Sequence, residues 1–156
     1  MPKPERLDEL HIIGADPGKI TGLGRLHHGV LTTCAVLSCD VETVITGWLE
    51  EDSRALIGCE RYVITQRTAR LSAQPDAIRV TGVIHAVAER YPGVSVVDQN
   101  MSDAKRLMQP PLRRALGWHQ SGPLARHCND AVCQIGKVIL SRHSKIFHDL
   151  VSPHIP

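Results

Sequence analysis

No apolar run in this chain of 156 residues is long enough to cross a bilayer as a helix. The opening MPKPERLDEL also lacks the apolar stretch and small-residue cleavage site of a secretory signal, so the cytoplasm is the expected location. Cysteine is present without a pattern. The thiols at 34, 39, 59, 128 and 133 form an odd set, with neither C-x-x-C nor paired zinc-finger spacing, which argues against disulfide staples and a structural zinc and leaves them as core filler. Neither sign of charge dominates: 18 Lys and Arg face 16 Asp and Glu, so the total neither demands nor excludes a polyanionic partner.

The distribution of charge says more than the total. Within residues 61–79, Arg61, Arg67, Arg70 and Arg79 are opposed only by Asp76. Within 104–126, Lys105, Arg106, Arg113, Arg114 and Arg126 meet no acid at all. Both stretches read equally as solvated surface and as phosphate-binding surface.

Length and a hydrophobic content of 42% fit one domain over residues 1–156, with 1–10 and 144–156 expected as flexible tails. His11 to Ala15 reads as a buried strand. Gly22 to Leu26 and Val30 to Leu37 form a hairpin about His28-Gly29. Asp40 stands as N-cap to a helix carrying Val41, Val44, Ile45 and Trp48 at helical spacing. A second buried strand runs from Ala55 to Cys59. Pro75-Asp76 opens a helix with Ile78, Val80, Val83, Ile84 and Val87 on one face, and Val94 to Val97 is a third buried strand. Short helical pieces then surround Pro110-Pro111, and a long helix runs from about Leu124 to Ser141. Two early antiparallel strands followed by strands alternating with helices imply an α/β fold, a mixed sheet with helices on both faces.

The stretch IIGADPGKITGLG, residues 12–24, fails as a phosphate-binding loop. Only three residues separate Gly14 from Gly18, and Ile20 stands where a magnesium-binding hydroxyl is needed, so no nucleotide cofactor is expected. Asp16-Pro17-Gly18 is by itself a common turn, proline presetting φ and glycine taking a positive φ. Asp16 and Glu60, however, each follow directly on a buried strand, at the strand end where open α/β sheets carry their chemistry. Adjacent acids repel unless a cation lies between them. In RHCNDAVCQIG, His127 and Asp130 share one helix face three residues apart, a pattern that also suits a plain helix N-terminus.

DPG after the first strand, an acid ending a middle strand and H-x-x-D-A opening the last helix together resemble RuvC-type Holliday-junction resolvases, of the RNase H-like (retroviral-integrase) fold. The likeness runs from about Ile12 to His143. It implies a five-stranded mixed sheet, and metal-binding catalytic residues at Asp16, Glu60, His127 and Asp130. Asp16 is then expected to bridge two Mg²⁺ ions, with Mn²⁺ as a substitute, while Glu60 and Asp130 complete one ion each and His127 stands in for the aspartate that other members carry. The implied activity is a structure-selective endonuclease that cuts four-way junctions to 5′-phosphate and 3′-hydroxyl ends. The expected partners are branched DNA and a second copy of the chain, the latter on the apolar face of the helix 76–90, and the divergence of the sequence from the family suggests that a phage or mobile element encodes it. Lys19, Tyr62, Arg67, Arg70, Lys105, Arg106, Arg113 and Arg114 are the candidate DNA contacts. Flaps, forks and RNA-containing duplexes remain as alternative substrates, and a catalytically silent branched-DNA-binding protein as an alternative class.

Overall fold

The computed structural model describes residues 3–61 and 75–155. Five strands, β1 (His11–Asp16), β2 (Ile20–His27), β3 (Val30–Leu37), β4 (Arg54–Glu60) and β5 (Gly93–Gln99), form one mixed sheet in the order β3-β2-β1-β4-β5. β1, β2 and β3 are an antiparallel meander, whereas β4 and β5 run parallel to β1. The hairpin closes at His28-Gly29, where both residues have positive φ, 51° and 75°. That pair of left-handed residues matches the strands' own twist.

Because successive strand residues face opposite sides, Ile12 and Ile13 enter different cores. Beneath Ile13, Leu23 and Ile57 lie α1 (Val41–Glu51) and α2 (Pro75–Glu89), which contribute Ile45, Leu49, Val80, Ile84 and Val87. Beyond Ile12 and Leu26 lies α5 (Ala125–Arg142), with Val132, Ile135 and Ile139 against the sheet. The short helices α3 (Met101–Leu107) and α4 (Pro110–Ala115) pack beside it through Ala104 and Met108. The apolar side of α2 is therefore largely core, and Ile78 is its one large apolar residue left exposed.

Glycines decide how close α5 comes. A side chain at Gly14 would strike the Ala131 carbonyl, one at Gly22 the His127 carbonyl, and one at Gly58 Val138 and the Gln134 carbonyl. Gly14 and Gly58 are paired across β1 and β4, and Gly22 of β2 lies opposite Asp16 two residues further along, so the helix backbone lies directly on the sheet. That contact fixes the N-terminal turns of α5 over the end of β1.

Three local expectations differ from what is found. Residues 144–155 are not a loose tail: α6 (Ser144–Val151) buries Ile146, Phe147 and Val151 against α5, since its apolar positions recur at helical spacing. Asp40 precedes α1 but makes no side-chain cap, being itself in helical conformation at the end of a 3-10 turn. Gly18 does not take a positive φ; the Thr21 hydroxyl closes that turn instead, donating to the Gly18 carbonyl at 2.9 Å. The five cysteines are free, with Cys59, Cys128 and Cys133 buried. Among the described residues no helix is long and apolar enough to cross a membrane.

Candidate active site

Asp16 and Glu60 come from neighbouring parallel strands. The register pairs Ala15 with Cys59, so both carboxylates leave the sheet side by side at its carboxyl edge. α5 crosses this edge and brings His127, whose Nδ1 lies 3.2 Å from Asp16 Oδ2. One turn later Asp130 projects to the same place, where Lys105 of α3 reaches its Oδ2 at 3.0 Å. The four residues singled out by sequence thus converge on one cleft of about 480 Å³, lined by Asp16, Glu60, His127 and Asp130 with Lys19, Lys105 and Arg126.

The electrostatics are those of crowded anions. Burial pushes the Glu60 carboxyl up to about 7, and Asp16 adds to this by its charge and by hydrogen-bonding the neutral acid. Burial likewise raises Asp16; its hydrogen bond to His127 works against the rise, and the charge of Asp130 adds to it. Both acids are thus held in a place that disfavours their ionised forms. A cation in the cleft reverses that preference. Lys105 already does so in part, lowering both carboxyls.

The donor set fits a hard dication. Magnesium takes a few carboxylates and keeps several waters, and the cleft offers three carboxylates from three elements in a polar hollow with room for solvent. His127 adds an imidazole lone pair without further negative charge.

The candidate DNA contacts divide. Lys19 and Lys105 are exposed at the cleft, Arg106 and Arg114 are exposed on α3 and α4, and Tyr62, Arg67 and Arg70 lie outside the described residues. Arg113 is not a DNA contact: only 8% exposed, it points inward. Its Nη1 donates to the Met108 carbonyl and lies 3.3 Å from Cys133 Sγ, because the turn at Pro110-Pro111 sets Arg113 against α5 while leaving Arg114 outside. Arg126, on the cleft wall, was missed as a candidate; its place immediately before His127 was the available signal.

No protein-family model matches the chain, and no curated protein does. Solved structures do. RuvC of Thermus thermophilus in complex with a Holliday junction substrate superposes with a TM-score of 0.59 at 15% identity, over 92% of this chain and 95% of that one. The chain has the RuvC fold. A second structure of Thermus thermophilus RuvC gives a TM-score of 0.55 at 14% identity, over 92% of this chain and 96% of that one. The mixed sheet with helices on both faces is thus the RNase H-like arrangement expected from the sequence, and the RuvC likeness extends over nearly the full length of both chains.

Proposed function

We propose that this chain is a divalent-metal-dependent, structure-selective endonuclease that resolves four-way DNA junctions. The observation that carries the reading is the convergence of Asp16, Glu60, His127 and Asp130, from β1, β4 and α5, on one cleft. The RuvC fold supports it, and so does the junction bound to one of the superposed RuvC structures.

In this reading Asp16, Glu60 and Asp130 hold Mg²⁺ or Mn²⁺, with the His127 imidazole beside them. Bound there, a pair of such ions would supply a water nucleophile at neutral pH and stabilise charge on the leaving 3′-oxygen. The protein's own contribution is placement. The glycine contacts beneath α5 hold His127 and Asp130 over the strand ends, and the Thr21 hydroxyl ties the turn after Asp16. Lys105 neutralises Asp130 in the free protein and is released toward substrate phosphate when the acids bind metal. Lys19 and Arg126, on the cleft wall, meet the backbone of the scissile strand, while Arg106 and Arg114 lengthen the basic track. A homodimer carrying two such clefts matches the two-fold symmetry of a four-way junction.

The test is cleavage of a labelled four-way junction with Mg²⁺ or Mn²⁺, beside flaps, forks and RNA-containing duplexes. Paired nicks leaving 5′-phosphate and 3′-hydroxyl ends are expected from the wild type and not from Asp16→Asn. Equal cutting by the two proteins sinks the assignment.

A further inference from the structure

At the other end of the sheet, β1 begins and β2 ends on paired histidines. The antiparallel register sets His11 against His27, and their ring centroids lie 4.6 Å apart. Asp52, between α1 and β4, faces both. Its Oδ1 accepts the Arg54 backbone N–H at 3.1 Å, which leaves Oδ2 turned to the rings, 3.3 Å from His27 Nε2 and 3.6 Å from His11 Nδ1. The Arg54 carbonyl oxygen lies 3.0 Å from the same His11 nitrogen.

These are the spacings of a coordination shell. Ligands bonded to a tetrahedral ion at about 2.0–2.2 Å stand roughly 3.3–3.6 Å from one another. The three donor atoms all fall within 4.8 Å of each other, so a small contraction closes them on one centre. Two ring nitrogens converge on one carboxylate oxygen, and a dication among them would displace any proton on those facing edges.

We propose that His11, His27 and Asp52 form a second metal site, separate from the carboxylate cleft, that takes a transition-metal dication of the zinc class. Two imidazoles and a carboxylate suit zinc, whereas magnesium prefers an all-oxygen shell. The Arg54 carbonyl or a water supplies the fourth position. The Nδ1 edge of the His11 ring is the one turned to Asp52 and the Arg54 carbonyl, so it is the edge that an ion in the pocket meets. Asp52 is oriented by its bond to Arg54 N–H, the kind of support that metal-binding side chains require.

Arg25 is the group that must give way. Its Nε donates to His11 Nε2 at 3.2 Å, while Nη1 pairs with Glu51 and Nη2 donates to the Trp48 carbonyl. Metal on His11 Nδ1 moves the ring proton to Nε2, so the Nε contact breaks and the guanidinium stays on Glu51 and Trp48. With Glu51 balancing Arg25, Asp52 leaves the pocket one negative charge for the ion. His11 and Asp52 line a cavity of about 630 Å³, which provides the route of entry. The bound ion would tie β1, β2 and the turn before β4 together.

The probe is Co²⁺, titrated into the full chain with excess Mg²⁺ occupying the carboxylate cleft. One equivalent with the intense visible bands of tetrahedral Co²⁺, displaced by Zn²⁺, is expected in the wild type and in Asp16→Asn. His27→Gln should bind at least ~100-fold more weakly, beyond the range typical of losing an outer-shell partner. Asp52→Asn, at a more exposed position, gives the same readout if His27→Gln does not fold. Absence of tetrahedral bands, their survival in both variants, or their loss in Asp16→Asn alone would overturn the assignment. Junction cleavage plays no part in this readout, so the far site and the nuclease reading stand or fall separately.

Discussion

Replacing Glu60 by glutamine should stabilise the metal-depleted protein at alkaline pH and leave it unchanged at acid pH. The Glu60 carboxyl is pushed up from its ordinary 4.5 to about 7, by burial first and by Asp16 second. For an acid whose folded pKa is raised, the folded state is favoured while the proton is on. Stability is then complete below about 4.5 and is lost as pH rises through about 7. At about 1.4 kcal/mol per pKa unit the whole rise corresponds to a ceiling of about 3 kcal/mol; solvent reaching this partly exposed group screens it to roughly 1–2 kcal/mol. Glutamine has no proton to lose and no charge to set against Asp16. In EDTA, urea unfolding at pH 4.5, 6, 7 and 8 should show the two proteins equal at the lowest pH. The variant should lead by roughly 1–2 kcal/mol at the highest, or about 2–6 °C in a thermal scan. Saturating Mg²⁺ should cancel the lead, because only the wild type keeps all three carboxylates for the ion. A gap independent of pH, or a variant less stable throughout, would refute the crowded-anion account of the cleft.

Gly22→Ala drives a methyl into the His127 carbonyl; a loss of about 1–3 kcal/mol in urea unfolding is expected, with junction cleavage falling further than stability as α5 lifts from the sheet. Arg113→Ala should cost about 2–4 kcal/mol through its buried contacts and leave the salt dependence of junction binding unchanged, whereas Arg114→Ala should do the reverse, lowering the salt slope by about 1 with stability unmoved. Lys105→Met removes the cation on Asp130, so calorimetry should find tighter Mn²⁺ uptake by the free protein and gel shifts weaker junction binding. Phe147→Ala should cost about 3–5 kcal/mol, as expected of a core residue and not of a loose tail.

Much of the site was legible because its chemistry is carried by residues at punctuation points. Asp16 and Glu60 end apolar runs and His127 and Asp130 begin a helix, and the resemblance of that set to RuvC-type resolvases is what joined them into one expected site. The hairpin was legible for a similar reason: His-Gly between two strand-forming runs specifies its own turn. What escaped the sequence depends on tertiary neighbours. Nothing local separates Arg113 from Arg114; only the packing of α4 on α5 buries one and frees the other. The helix Ser144–Val151 is short, and its apolar face of Ile146, Phe147, Leu150 and Val151 finds a partner only in the groove beside α5. Lys105 sits in a basic segment of the sequence, and its engagement with Asp130 follows only from how α3 lies against α5. The His11, His27 and Asp52 cluster is likewise invisible in one dimension, since it arises from strand register.

Mn²⁺ uptake measured by electron paramagnetic resonance tests most directly whether Asp16, Glu60, His127 and Asp130 act as one divalent-metal centre. With a non-cleavable four-way junction bound, the wild type should take up Mn²⁺ while Asp16→Asn and Asp130→Asn each lose most of that uptake. Undiminished binding in both variants would contradict a shared centre.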